Sequence, residues 1–306
     1  MESSRCKRIA VLASLLVTVL ASCASATPLH AQAAPAKAAA TAPTAKAAAV
    51  PAAKPPELVP FTSAEAQQRL ERSHHKADFF ALVNQFESQE HMGNCGPTSS
   101  VIVLNALRDS SFPGKPVDEA LFPAEYRAGL PPSMTPVMPR YTQGTFFDAR
   151  FEKVKPKARF FGAPAADGSR DPGLQLRQLH GILLEHGLSA TLRVVDDAFD
   201  AAIVRRELLK NLETPGDYVL VSYTRAALGQ PGAGHISPLA AYDAQSDSVL
   251  VLDVNPSRAP FVWVPMDALI AAMRTKDTVE NRGYLLITEG AKPKTPTASR
   301  APKRVQ

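Results

Sequence analysis

The chain has 306 residues, 45% of them hydrophobic and 21% charged, enough for one sizeable domain with its own core. Its formal net charge of +5 invites a nucleic-acid reading, but the excess sits at the two ends. Between Leu58 and Ile287 there are 23 Lys+Arg against 26 Asp+Glu, about −3, with no basic stripe to follow a phosphate backbone; nucleic acid is not expected as a partner.

The first 26 residues have the form of an export signal. "MESSRCKR" supplies Arg5, Lys7 and Arg8, and "IAVLASLLVTVLA" is an apolar run too short for a comfortable membrane span. Two processing sites compete. "LASC", Leu20 to Cys23, has the form of a lipobox and would make Cys23 a lipid-modified first residue; "ASA", Ala24 to Ala26, has the form of an ordinary cleavage site. The lipobox is the favoured reading. It predicts an exported bacterial-type protein in the periplasm, lipid-anchored to the envelope membrane. Either route removes Cys6 and leaves Cys95 as the free thiol, with no internal disulfide to form.

Residues 27–57 are rich in Ala, Pro and Lys, and the basic tail 290–306 has the same character. Neither offers enough large apolar side chains to offset the entropy of ordering, so both are expected to be disordered. The folded body is expected over 58–289. Its first element is a helix over "TSAEAQQRLERS", opened by a capping-box pattern at Thr62 and Glu65. "SSVIVLNAL" predicts a buried helix with Pro97 in its first turn, where the missing N–H costs nothing. Leu174 to His186 has helical apolar spacing and ends at Gly187, and Phe199 to Leu212 predicts a second amphipathic helix ended by Pro215-Gly216. The period then changes. "DYVLVSY", "HISPLAAY", "SVLVLDV", "FVWVPM" and "GYLLIT" are short β-rich segments parted by turn residues. Helices first and strands later predict an α+β fold of two lobes.

The chemistry centres on "FESQEHMGNCGPTSS". A thiol becomes a strong nucleophile only as thiolate, and both a helix N-terminus and a neighbouring imidazolium favour that form. Cys95 precedes the predicted buried helix directly. Papain-type enzymes place a His, and then an Asn or Asp, about 130–150 residues beyond their cysteine. His235 lies 140 residues after Cys95, and Asp253 lies 18 after His235. Turning the chain at Ala244 to Ser246 brings Asp253 opposite His235 to Pro238, where a carboxylate would fix the imidazole's tautomer. Gln89, six residues before Cys95, is the side-chain donor expected for an oxyanion, with the Cys95 N–H as the second donor. Each residue alone has a plain structural reading: packing for Cys95, a strand-end histidine at His235, a turn cap at Asp253. The other histidines lack partners at zinc spacing, so no resident metal is expected.

The stretches "QEHMGNCGPTSSVIVLNAL", "DYVLVSYTRAALGQPGAGHISPLAAYDAQSDSVLVLDV", "VWVPMDALIAAM" and "ENRGYLLI" resemble the phytochelatin synthase family, the glutathione γ-glutamylcysteinyltransferases. The resemblance covers Leu58 to Thr288. It implies a papain-like two-lobed fold, with the nucleophile Cys95 on a helical lobe and the base His235 and orienting Asp253 on an antiparallel β lobe. It also implies an oxyanion role for Gln89. The activity it implies is attack on the Cys–Gly peptide of glutathione, release of glycine, and transfer of a γ-glutamylcysteinyl group to water or to a second glutathione. The partners would be glutathione and its Cd²⁺ or Zn²⁺ bis-thiolates. Heavy metal would arrive as part of the substrate, with no tightly bound cofactor. Gly234, Arg225, Arg258 and Arg282 are candidates for gripping the substrate. Two departures stand out: Gly93-Asn94 precedes the cysteine where the family carries an apolar pair, and Pro256 replaces a basic residue, with Arg258 nearby. A peptidase acting on other γ-glutamyl or envelope peptides, or a tethered glutathione-binding module without turnover, are the competing readings. Oligomeric state is left open.

Overall fold

The computed structural model describes residues 55–108, 129, 131 and 140–290. The export signal with Cys23, the linker through Lys54, and the tail from Ala291 onward lie outside the described residues.

Within the described residues the fold is α+β, helices with one antiparallel sheet. Short strand β1 (Val59–Pro60) leads into helix α1 (Ala64–Arg72), then α2 (Phe79–Asn84) and α3 (Cys95–Leu107). Four helices follow: α4 (Gln143–Phe146), α5 (Ala149–Val154), α6 (Lys157–Phe160) and α7 (Leu176–Glu185). The chain continues through β2 (Ser189–Val194), α8 (Ala201–Glu213), β3 (Asp217–Thr224), β4 (Gly234–Asp243), β5 (Ser248–Val251), β6 (Val262–Pro265), α9 (Met266–Met273) and β7 (Gly283–Thr288). The strands form a seven-stranded sheet in the order β1-β6-β5-β4-β3-β7-β2, every described pairing antiparallel.

Alternating side chains along the strands feed two separate cores, as a pleat of period two requires. In β3, Tyr218 and Leu220 join the core that holds α3 and α7. Val219, Val221 and Tyr223 join the core that holds α8 and α9. The sheet is therefore covered on both faces. This explains why β4, a central strand, is buried from His235 through Asp243 and shows no polar alternation. Helix α3 is buried from Gly96 to Leu107. It is tied to β4 by Ser99 Oγ, which donates to the Ile236 carbonyl at 3.0 Å. Each Leu or Ile buried this fully contributes about 1.5–3 kcal/mol.

Three local expectations need correction. The α1 N-cap is Ser63, whose hydroxyl accepts from the Ala66 N–H, while Glu65 turns outward to Arg69 at 2.9 Å. The Thr62 pattern fits the spacing, but Ser63 holds the extended backbone that an N-cap needs. "FVWVPM" ends as a strand at Pro265, and Met266 begins α9. "SATLRV", not expected as a strand, is β2, paired to β7 from Ser189↔Thr288 to Val194↔Gly283.

Candidate active site

Cys95 stands at the first position of α3, with Asn94 as N-cap. A first-turn N–H has no intrahelical acceptor, so the Cys95 N–H is free of the helix's own ladder. Gly93 makes the turn into the helix. Its φ of +94° lies in the left-handed region that favours glycine, and a Cβ there would sit 3.7 Å from the Gly173 Cα. The Gly93-Asn94 pair is thus tied to local backbone geometry.

His235 is the second residue of β4, 5% exposed, and Asp253 follows the end of β5, fully buried. Their meeting depends on a β-bulge. The β4–β5 ladder pairs Ala241 with Leu250 and then Leu239 with Val251, so Ala240 is an extra residue. Ala240 and Ala241 both face the α3 core, as a bulge dictates. The pairing continues with the Leu252 N–H donating to the Pro238 carbonyl, which sets Asp253 across from Ser237. His235, two residues from Ser237, then shares its face with Asp253. Without the bulge every pairing beyond it would slip by one, and the two side chains would point to opposite faces.

The contact is direct: His235 Nε2 lies 2.9 Å from Asp253 Oδ1. With Nε2 committed to the carboxylate, Nδ1 is the nitrogen left for the thiol of Cys95, which lies with His235 along the same cavity. Burial alone would raise the thiol. The nearby imidazole of His235, aided by the Ile236 and Gly96 N–H groups, outweighs it and holds Cys95 below its usual value. Burial alone would lower His235; Asp253 and the Cys95 sulfur outweigh it and raise the imidazole. The pair therefore favours thiolate and imidazolium. Burial would raise Asp253, but His235, Arg225 and the Asn255 N–H hold it below the usual carboxylate range. Asn255 N donates to Oδ1 at 2.8 Å and Tyr223 Oη donates to Oδ2 at 3.2 Å.

Cys95 and His235 open onto a cavity also lined by Gln89, Met92, Gly93, Arg225, Gly232, Ala233, Gly234, Asn255 and Arg258. Gln89 is held there by its N–H, which donates to the Val254 carbonyl at 2.8 Å, and by Nε2, which donates to the His91 carbonyl at 2.8 Å. A primary amide carries two N–H protons, so one is still available to a ligand. Arg258 sits at the rim, its Nη2 3.4 Å from the Met92 Sδ.

Two candidate substrate residues have tasks within the protein. Arg225 is 2% exposed, and its Nη2 donates to Asp253 Oδ1 at 2.7 Å. Nη2 also lies 3.0 Å from His235 Nε2. Two donors are converging there on one carboxylate oxygen, since a guanidinium cannot accept. Arg225 thus neutralises the orienting carboxylate. Arg282 is outside the cavity lining, and its Nη1 donates to the Thr275 hydroxyl at 3.0 Å and to the Lys276 carbonyl at 2.6 Å. It braces the segment before β7 and lies against Gly234, where a Cβ would come within 2.8 Å of Nη2.

Among the described residues, no group of three or more His, Cys, Asp and Glu is arranged to hold a metal ion. The sequence reading missed Gln143, which is 3% exposed and bonded to the segment leading into Cys95. Only contacts across 45 to 55 residues identify it, and no local pattern could have.

The chain is similar in sequence to known proteins. The family model described as phytochelatin synthase matches residues 51–120 and 140–284. Glutathione gamma-glutamylcysteinyltransferase 3 of Lotus japonicus is 29% identical over 215 residues, 69% of this chain and 37% of that protein. Glutathione gamma-glutamylcysteinyltransferase 1 of Arabidopsis thaliana is 27% identical over 240 residues, 76% of this chain and 42% of that protein. The enzyme of that name from Schizosaccharomyces pombe matches at 27% over 118 residues, 38% of this chain and 28% of its own. The matched region spans less than half the length of these relatives. A family match over most of the body, on a chain whose cysteine and histidine line one cleft with an aspartate bonded to the histidine, has one consequence: this chain belongs to the phytochelatin synthase family.

Proposed function

We propose that the protein is a thiol-dependent acyltransferase acting on glutathione. The observation that carries this is Cys95 and His235 lining one cleft, with Asp253 bonded to His235 behind it. The names of the matched relatives supply the substrate. In this reading Cys95 and His235 occupy the nucleophile and base positions of a papain-like fold.

The Cys95 thiolate attacks the carbonyl carbon of the Cys–Gly peptide. The negative charge that develops on the carbonyl oxygen is met by the Cys95 N–H and by the free amide proton of Gln89. The imidazolium of His235 gives its proton to the departing glycine nitrogen, and the C–N bond breaks. Glycine leaves, and a γ-glutamylcysteinyl thioester remains on Cys95. In the second half, neutral His235 takes a proton from water or from the amine of a second glutathione. That nucleophile attacks the thioester, and the thiolate is released. Water gives γ-Glu-Cys; glutathione gives a (γ-Glu-Cys)2-Gly chain. Asp253 keeps the imidazole turned with Nδ1 toward sulfur throughout.

In this reading soft metals such as Cd²⁺ or Zn²⁺ enter as glutathione bis-thiolates and the lengthened thiol chains hold them, a role in heavy-metal detoxification supported by the softness of thiolate ligands. Arg258 at the cleft rim and Gly234 beside His235 border the substrate. In this reading the chemistry runs in the periplasm, on a lipid anchor at Cys23, supported by the export-signal pattern of the first 26 residues. Hydrolysis is expected to outrun transfer.

The test is to incubate the protein with glutathione, with and without Cd²⁺, and follow glycine and product masses. Glycine with γ-Glu-Cys alone marks a hydrolase; added (γ-Glu-Cys)n-Gly species mark a synthase. No glycine in reducing buffer near neutral pH would refute both.

A further inference from the structure

We propose that Gln143 is a positioning residue that fixes the loop carrying Gln89 and Cys95 in its reactive shape. The inference rests on the reading of Cys95 as nucleophile. Gln143 is the first residue of α4 and lies 48 positions after Cys95. Its Oε1 accepts from three donors spread along that loop: the Glu90 N–H at 2.9 Å, Asn94 Nδ2 at 3.2 Å and Thr98 Oγ1 at 2.8 Å. Its Nε2 donates to the Ser88 carbonyl at 2.9 Å. One side chain thus holds the loop on both sides of Gln89, at the N-cap of α3 and in the first turn of α3.

The stakes follow from burial. Asn94 is 1% exposed and Thr98 is fully buried, so neither has water to fall back on. A carbonyl oxygen has two lone pairs, and three donors saturate it. Asn94 makes no side-chain cap to its own helix. Its amide nitrogen goes to Gln143 instead, which gives the Asn94 departure from the family pattern a local task. Gln143 is itself well placed: the backbone two residues earlier is pinned by Asn105, which exchanges two hydrogen bonds with Tyr141 at 2.9 and 3.0 Å. Helix α3 thereby sets the position of the residue that sets its own first turn. Gln143 does not line the cavity, so it acts through the loop and not on substrate.

The test uses the full chain and two readouts. One is kcat and KM for glycine release from glutathione. The other is the pH dependence of iodoacetamide alkylation at Cys95, read by peptide mass, which reports on the thiol whatever the substrate proves to be. Gln143→Ala should lower kcat about 10- to 100-fold with KM within about threefold, as small misplacements of reacting groups do. Its alkylation profile should move upward by about 0.5–1 pH unit as the thiolate loses its aligned helix start and imidazolium. Gln143→Glu keeps an acceptor for the three donors but loses the donor to the Ser88 carbonyl, so it should recover only part of the loss. Asn211→Ala, which removes another buried amide at 2% exposure but touches Asp217 instead, controls for lost stability and should leave the alkylation profile in place. If Gln143→Ala does not fold, Gln143→Asn, one methylene too short to reach, takes its place under the same criteria. A folded variant with wild-type kcat and an unmoved profile overturns the proposal, as does a fall in kcat matched by Asn211→Ala. Should wild type release no glycine, the alkylation shift alone decides, so failure of the glutathione reading and failure of this one are distinguishable.

Discussion

Arg225 Nη2 lies 2.7 Å from Asp253 Oδ1, the same oxygen that His235 Nε2 approaches at 2.9 Å. A buried carboxylate shared between a fixed cation and an imidazole does two jobs. It orients the ring, and it keeps a guanidinium of 2% exposure from standing alone. Removing the carboxylate charge therefore has two separable effects. Asp253→Asn should slow turnover by up to about 10⁴-fold, because an amide stabilises imidazolium less and no longer enforces one tautomer of the ring. It should also cost stability, up to roughly 3–5 kcal/mol, by leaving the Arg225 charge buried and uncompensated. Pairing it with Arg225→Met should restore much of the urea midpoint while activity stays low. A double variant no more stable than the single one would show that the buried charge is not what destabilises it.

The pH dependence follows from the same triad. The thiol is held below its usual value and the imidazole above its own. Both shifts raise the share of the thiolate–imidazolium form, which is lost in acid as the thiolate takes a proton and in alkali as the imidazolium gives one up. Turnover should trace a bell between those two limits. Asp253→Asn removes a group that raises His235, so the alkaline limb should move to lower pH. A profile of kcat/KM whose alkaline limb stays put in that variant would contradict the assigned cause.

A second carboxylate reports on the hairpin that brings His235 and Asp253 together. Asp243, 1% exposed at the end of β4, accepts from Arg72 Nη2 at 2.7 Å and from the Ser246 hydroxyl. Burial would raise it, but Arg72 and Ser246 pull it down to about 2. A folded-state value below the unfolded one gives stability that is present above the ordinary aspartate range and is lost as pH falls through about 2. The shift corresponds to about 2 kcal/mol. Asp243→Asn should lower stability by roughly that amount at pH 7, and the gap to wild type should close near pH 2. Unfolding titrations at several pH values would read it; a gap that does not narrow in acid would reject this origin.

The parts legible in the sequence were those written locally. Helix α3 announces itself by an apolar run behind Gly96-Pro97, and the β4–β5 hairpin by two β-rich runs about a polar turn. The turn leaves register open by one residue, however, and one residue decides which face Asp253 takes. The bulge at Ala240 settles it, and nothing in "SPLAAYDAQSD" marks Ala240 as extra. Arg225 shows the same limit. An arginine ten residues before the histidine looks equally suited to a substrate carboxylate or to Asp253, and only the β3–β4 pairing of Tyr223 with His235 brings the chain around it close enough to choose. Strand β2 escaped because it sits at the sheet edge with a half-exposed pattern, and α9 because its apolar run follows β6 with no side-chain cap between.

Cys95 is expected to take up an acyl group from glutathione. The direct measurement is an acid quench of the protein during turnover, followed by peptide mass analysis. The peptide bearing Cys95 should gain the mass of one γ-glutamylcysteinyl group, with at least one glycine released per group gained, and Cys95→Ser should show neither. Glycine release by the Cys95→Ser protein, or turnover with the acyl group on another residue, would contradict this expectation.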